Sequence, residues 1–334
     1  KDVILETAGR MDISPIIIEK DFWVCWTLNK IVAIPEMDEH ITFKGGTSLS
    51  KVFRLIERFS EDIDLAFHRS YLGFGGKNEP EEAISKKQTD KRIEELTRAC
   101  IREVETHFVP LLNKDIEYEL GNNEAHNWSL TIDPRDPQTV YFYYPSILDV
   151  GFGNYVEPAV KIEMGARSDD WPVMDGVVTS YIEETFEHLF DPMVVHIKTL
   201  SAERTFWEKA TILHAEYHRP EDKSTSSRVS RHYYDLYQMH TKGVSENAIK
   251  KLDLLARVMR HKSIYFRSGW AKYEEAVPGS LRLAPRNERI ADLKQDYEKM
   301  QKMFFRDPPS FEVIMGSLQE MEDIINQQVS VNVG

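Results

Sequence analysis

Cysteine is almost missing from this chain: Cys25 and Cys100 are its two cysteines in 334 residues, and they form no CxxC pair. That excludes a disulfide framework and a cysteine-built zinc site, and it suits a reducing cytoplasm. Both residues are expected as small buried hydrophobes on helices. No run approaches the roughly 18 uninterrupted apolar residues of a membrane span, so no membrane partner is expected. The opening Lys1-Asp2-Val3-Ile4 has no apolar run ending in small residues, which argues against a secretory signal. Cations are short as well. Lys and Arg number 42 against 55 Asp and Glu, a net charge of −13. Such a surface does not grip nucleic acid everywhere, although a local basic patch is compatible with it. His214, His218, His232 and His240 are scattered over the helical stretches and are expected as satisfied or exposed histidines rather than metal ligands.

What the chain does have is core material: 41% hydrophobic and 11% aromatic residues, enough for one large domain or two ordinary ones. Apolar positions at helical spacing predict an amphipathic helix over 16–33. Ile41-Thr42-Phe43 reads as a strand stopped by Gly45-Gly46, and Thr47 to Glu57 reads as a helix. Ile63, Leu65 and Phe67 alternate with Asp62, Asp64 and Ala66, the signature of a strand. A loop spans Gly73–Pro80 and a long helical stretch Glu81–Leu112. Further strands are expected at Ile116–Leu120, Trp128–Ile132, Val140–Tyr144 and Val160–Glu163. Beyond about residue 200 the pattern is helical: Glu203–Tyr217, Val229–His240, Glu246–Arg260, Asn287–Phe305 and Phe311–Gln327. The fold class is therefore α+β, a mixed sheet in residues 1–198 followed by a helical domain over 199–334 that completes a cleft. Lys223–Arg228 is expected as a loop at its rim.

The chemistry concentrates between Lys44 and Leu65. Gly45-Gly46, between a strand and a helix, let the backbone approach a ligand, and the helix start offers N–H groups to phosphate oxygens. Thr47 and Ser48 add hydroxyls, and Lys51 lies one turn further on, where its ammonium can lean back toward the same phosphates. On a strand, residues i and i+2 share a face, so Asp62 and Asp64 sit side by side and repel unless a cation lies between them. Hard oxygen ligands of this kind suit Mg²⁺, or Mn²⁺ in its place. Glu163, an acid inside an apolar strand, is the candidate third ligand. A Gly-Gly turn alone, or Asp-x-Asp alone, usually means only a turn or a solvated strand face; at this distance and order they supply both halves of a phosphate-plus-metal site.

Gly45-Gly46-Thr47-x-Leu49-x-Lys51 followed by Arg58-x-Ser60-x-Asp62-Ile63-Asp64 resembles the first two motifs of the AbiEii/AbiGii nucleotidyltransferase toxin family. Glu19-Lys20-Asp21-Phe22-Trp23 is similar to that family's first helix. Glu208-Lys209 resembles its third motif, and Arg231-His232-Tyr233-Tyr234-Asp235 its fourth, with Arg231-His232 where a Lys-Asp pair is frequent. The likeness is carried by residues 12–65 and 200–240. It implies a polymerase-β-like nucleotidyltransferase core and transfer of a nucleoside monophosphate from an NTP. The acceptor it implies is RNA, the 3′ end of tRNA for some members, within a toxin–antitoxin or phage-defence system that includes a cognate antitoxin. Carried over, Gly45, Gly46, Thr47, Ser48, Lys51, Arg58 and Ser60 would serve the nucleotide. Asp62 and Asp64 would bind metal, Lys209 would contact phosphate and Asp235 would act near the acceptor or metal. Two other readings stay open: an enzyme that modifies a small molecule such as an antibiotic, and a binding protein that keeps the fold without catalysis.

Overall fold

The computed structural model describes residues 1–148, 157–188 and 193–328. The chain divides into two compact units, one of Lys1–Phe53 and Phe59–Leu200, the other of Arg54–Arg58 and Ser201–Gly334.

The first unit begins with α1 (Asp2–Met11) and α2 (Pro15–Ala33). Pro15 supplies a fixed φ at the start of α2. Ile18, Cys25, Leu28 and Ile31 of α2 are fully buried, and Trp23 and Trp26 pack on Phe142 with ring centroids 5.9 and 5.7 Å away. One turn, α3 (Met37–His40), leads into β1 (Ile41–Lys44), α4 (Gly45–Lys51) and β2 (Asp62–Phe67). There follow α5 (Lys86–Glu103), α6 (Val109–Leu120), α7 (Asn123–His126), β3 (Ser129–Ile132), β4 (Thr139–Tyr143) and β5 (Ala159–Gly165). The unit closes with β6 (Val173–Val178), α8 (Tyr181–Thr185) and β7 (Val195–Leu200). The strands form one seven-stranded mixed sheet in the order β3-β4-β5-β2-β1-β7-β6. At its centre β2 runs antiparallel to β1 and parallel to β5. Phe43, Ile63, Leu65, Ile162 and Met164 seal that centre with no exposed surface.

The second unit is helical: α9 (Ala202–Tyr217), α10 (Ser230–Thr241), α11 (Val244–Ile249), α12 (Leu252–Tyr265), α13 (Ile290–Lys299) and α14 (Phe311–Gln327). Ser201 and Ser310 cap α9 and α14 by accepting the N–H of Arg204 and Val313. Trp207 of α9 is wholly buried and donates its indole N–H to the Ala248 carbonyl, 3.3 Å away.

Several sequence expectations need correction. Ile116–Leu120 is the end of helix α6, not a strand: Ile116 is buried with Leu112 one turn before it, while Tyr118 is exposed. Its Ile-Glu-Tyr-Glu-Leu alternation imitates period two over a span too short to decide. The helix expected over Thr47–Glu57 stops at Lys51, and Arg54 takes a positive φ of 53°. The long helix over Glu81–Leu112 starts only at Lys86, capped by Ser85, and passes through a π-turn at Val104–Phe108. Pro110 stands just after that turn, where a missing backbone donor is tolerated. Glu246–Arg260 is two helices that meet at Lys250-Lys251. Asn287–Phe305 is helical chiefly over Ile290–Lys299. The sequence reading gave no sign of α1, β6, α8 or β7.

Candidate active site

The site is laid out by strand register. Asp62 and Asp64 alternate with the buried Ile63 and Leu65, so both carboxylates leave the same face of β2. In the parallel pairing, Asp62 stands beside Lys161 and Asp64 beside Glu163. In the antiparallel pairing, Lys44 stands beside Asp64. Glu163 is thus placed next to Asp64, as a third metal ligand would need to be. Lys44 and Lys161, which the sequence reading passed over, frame the acids. Lys161 was legible in principle: it precedes Glu163 by two positions on the same strand face.

Gly45 explains itself through Asp64. Its φ is +79°, and a Cβ built there would stand 1.9 Å from Asp64 Oδ2. The glycine therefore lets the aspartate carboxylate press against the turn. Thr47 Oγ1 donates to the Asp62 carbonyl at 2.5 Å and lies 3.1 Å from Ser60 Oγ, which ties α4 to the first residue of β2. Ser48 Oγ donates to the Gly45 carbonyl at 2.9 Å. The two hydroxyl donors assigned to phosphate are thus engaged inside the fold, and backbone N–H groups of the α4 turn are what this segment offers an anion.

Lys51 is engaged too. Its ammonium sits 2.8 Å from Asp21 Oδ1 and 3.7 Å from the centroid of the Tyr181 ring. Asp21 Oδ2 accepts the Tyr181 N–H at 2.7 Å. Burial acts against the charge on Lys51, but Asp21 outweighs it and raises the lysine's pKa. The motif lysine thus joins α4 to α2 and α8. Glu19, Lys20 and Asp21, three consecutive charged residues, are all buried in α2. That triplet inside an apolar helix was the available signal for this network.

The acids themselves repel. Burial, together with Glu163 and Asp62, pushes the Asp64 carboxyl up to about 6, despite Lys44. Glu163 moves the other way: burial opposes its charge, but an ion pair with Lys161 keeps it ionised. Of the pair, Asp64 is therefore the acid that burial and its acidic neighbours make easier to protonate. The site's donors are hard oxygens, the right kind for a divalent cation. They are not yet gathered: among the described residues no three His, Cys, Asp or Glu side chains converge as a metal cage, and Glu163 is held by Lys161.

The second unit holds a different cluster. Arg58 donates from Nε and Nη2 to Asp235 Oδ1 and Oδ2 at 2.7 and 2.8 Å. Lys209 donates to Oδ2 at 2.7 Å. All three are buried. Desolvation opposes the Asp235 charge, yet Arg58 and Lys209 together hold its carboxyl far below the usual range. His232 is pushed well down by burial and by Lys209 and Arg231, so its ring is neutral. Lys209, Asp235 and Arg58, expected on phosphate or acceptor, are here committed to one another.

The family model for the AbiEii nucleotidyl transferase toxin, a type IV toxin–antitoxin system, matches residues 26–320. The chain belongs to this family. The match runs through residues 240–320, which the motif resemblance leaves unassigned, and it makes the protein a nucleotidyltransferase and a toxin. Among solved structures, MenT4, a nucleotidyltransferase toxin from Mycobacterium tuberculosis, is similar in fold with a TM-score of 0.51 and 13% identity. The alignment covers 97% of this chain and 88% of that one. Among curated proteins none matches in sequence. No helix among the described residues is long and apolar enough to cross a membrane.

Proposed function

We propose that Asp62, Asp64 and Glu163 hold Mg²⁺, with Mn²⁺ able to replace it, and that an NTP is bound across them for transfer of its nucleoside monophosphate. The observation that carries this is the parallel register of β2 and β5, which sets Glu163 beside Asp64 on one sheet face. The ion would neutralise the triphosphate and lower the barrier to attack on the α-phosphorus. The N–H groups of Gly45, Gly46, Thr47 and Ser48 meet the phosphates, while Ser60 and the Thr47 hydroxyl hold β2 in place. Lys51 acts at one remove by fixing α4 through Asp21. Lys209 and Asp235 fix Arg58 rather than touch the phosphates.

The acceptor we propose is RNA, with the 3′ end of tRNA as first candidate. Two cation–aromatic stacks on the helical unit support it. Arg219 and Lys223 lie 4.8 and 5.7 Å from the Trp270 ring, and Arg282 and Arg286 lie 5.5 and 5.1 Å from the Tyr217 ring. Cations interleaved with aromatic rings suit phosphates and unstacked bases. Family membership supports the setting: a cytoplasmic toxin in phage defence, opposed by a cognate antitoxin. The test is incubation with each α-labelled NTP, Mg²⁺ and total RNA. Label should appear in tRNA-sized RNA and fall at least about 10³-fold in Asp64→Asn, the scale of losing preorganised charge at the reacting phosphorus. Label that enters only small molecules would overturn the RNA acceptor, and label in neither would overturn the transfer chemistry at these residues.

A further inference from the structure

We propose that Lys161 is the resident counter-ion of the acidic site: it holds Glu163 while no divalent cation is present and releases it when one binds. Glu163 is then a conditional ligand, and Lys161 becomes free for the nucleotide's phosphates. This rests on the metal reading above.

Lys161 and Glu163 lie two positions apart on β5, so they share the face that carries Asp62 and Asp64. The ammonium is bonded to Glu163 Oε1. A metal drawn to Glu163 meets a carboxylate already paired with an ammonium, and charge repulsion between the two cations sets them in competition for it. The charges point to the same exchange. Three carboxylates face two ammonium groups, from Lys44 and Lys161, and a divalent ion would leave one ammonium in surplus. Lys161 is the one able to leave, because its side chain is 32% exposed on a flexible stem. Lys44 sits where β1 meets the Gly45 turn, beside Asp64. The exchange also fits the missing cage: among the described residues no three such side chains gather as metal ligands while Glu163 is bonded to Lys161.

The test uses the full chain and Mn²⁺, whose free concentration is read by electron paramagnetic resonance. Lys161→Met should tighten Mn²⁺ binding about tenfold, the scale of one lost competing ion pair (1.4 kcal/mol), and Lys161→Arg should stay near wild type. The decisive comparison is a double-mutant cycle. In a Glu163→Gln background, Lys161→Met should change Mn²⁺ affinity by less than about twofold, since the shared carboxylate is gone. Equal tightening in both backgrounds would show that Lys161 acts only as a nearby charge, and no tightening would show a bystander; either overturns the exchange. A second readout is the NMR signal of ¹³C-methylated Lys161, assigned by its loss in Lys161→Arg. It should move on Mg²⁺ addition to wild type and stay fixed in Glu163→Gln; an unmoved wild-type signal would sink the proposal. Absence of Mn²⁺ binding in every variant would remove the metal reading itself, and this inference with it, whereas binding with an additive cycle removes only the exchange.

Discussion

The carboxylates of Asp62, Asp64 and Glu163 outnumber the ammonium groups around them, whereas Asp235 is outnumbered by Arg58 and Lys209. The first cluster is open: the Glu163 side chain is 42% exposed, and repulsion from Glu163 and Asp62 adds to burial in raising the Asp64 pKa. The second is shut: Asp235 has no exposed surface, and Arg58 and Lys209 expose 4% and 8% of their side chains. Both clusters draw on the motif residues, with Glu163 added from a strand outside the motifs. What separates them is charge balance and access. A surplus of hard oxygens at an open sheet face invites a cation. A buried acid gripped by two cations has already met its partners, and its value lies in holding chain segments together.

Three measurements would sharpen or break this contrast. The largest effect is expected at Asp235. Asp235→Ala leaves Arg58 and Lys209 buried without a counter-charge and should cost about 3–5 kcal/mol of unfolding free energy in urea. A stable variant that has lost only transfer would return Asp235 to the chemistry and end the contrast. Next is Gly45→Ala, which combines a positive φ with a collision against Asp64 and should cost about 2–3 kcal/mol. Adding Asp64→Ala should recover part of that loss, and strict additivity would mean the carboxylate does not press on the turn.

The smallest effect is on pH dependence. Asp64's folded value, about 6, lies above its ordinary 3.8. A raised carboxyl favours the folded state below the ordinary value, and that support is lost as pH rises through the folded one. Metal-free protein should therefore lose stability between about pH 4 and 6. Asp64→Asn should flatten this slope and gain about 1–2 kcal/mol at pH 7.5, a figure reduced for the residue's partial exposure. An unchanged slope would mean that the acids do not repel as described.

Much of the sheet was readable because its strands advertise period two: Asp62-Ile63-Asp64-Leu65 fixed both the strand and the face of its acids. Glu163 was readable as an acid among apolar neighbours, but its partner strand was not, since register depends on pairing rather than on local pattern. The fates of Lys51 and Lys209 were hidden for the same reason. A motif lysine looks alike whether it meets a phosphate or an aspartate brought from elsewhere, and Asp21 lies 30 positions from Lys51 and Asp235 lies 26 from Lys209. Helix ends were lost where tertiary packing overrides propensity, as at Arg54, while serine caps kept α9 and α14 legible.

The excursion of Arg54–Arg58 into the helical unit has a consequence for how the protein is made. It lies between the Gly45-Gly46 turn and Asp62, and the paired bonds from Arg58 to Asp235 form only once Asp235, 177 residues later, has been made. At ribosomal speeds that interval is on the order of 10–35 s. A ribosome that stalls or a chain cut near residue 200 leaves the stretch joining the Gly45-Gly46 turn to β2 without its bonds to Asp235. Fragments that end before Asp235 lack this fastening of Arg58, which the longer chain has.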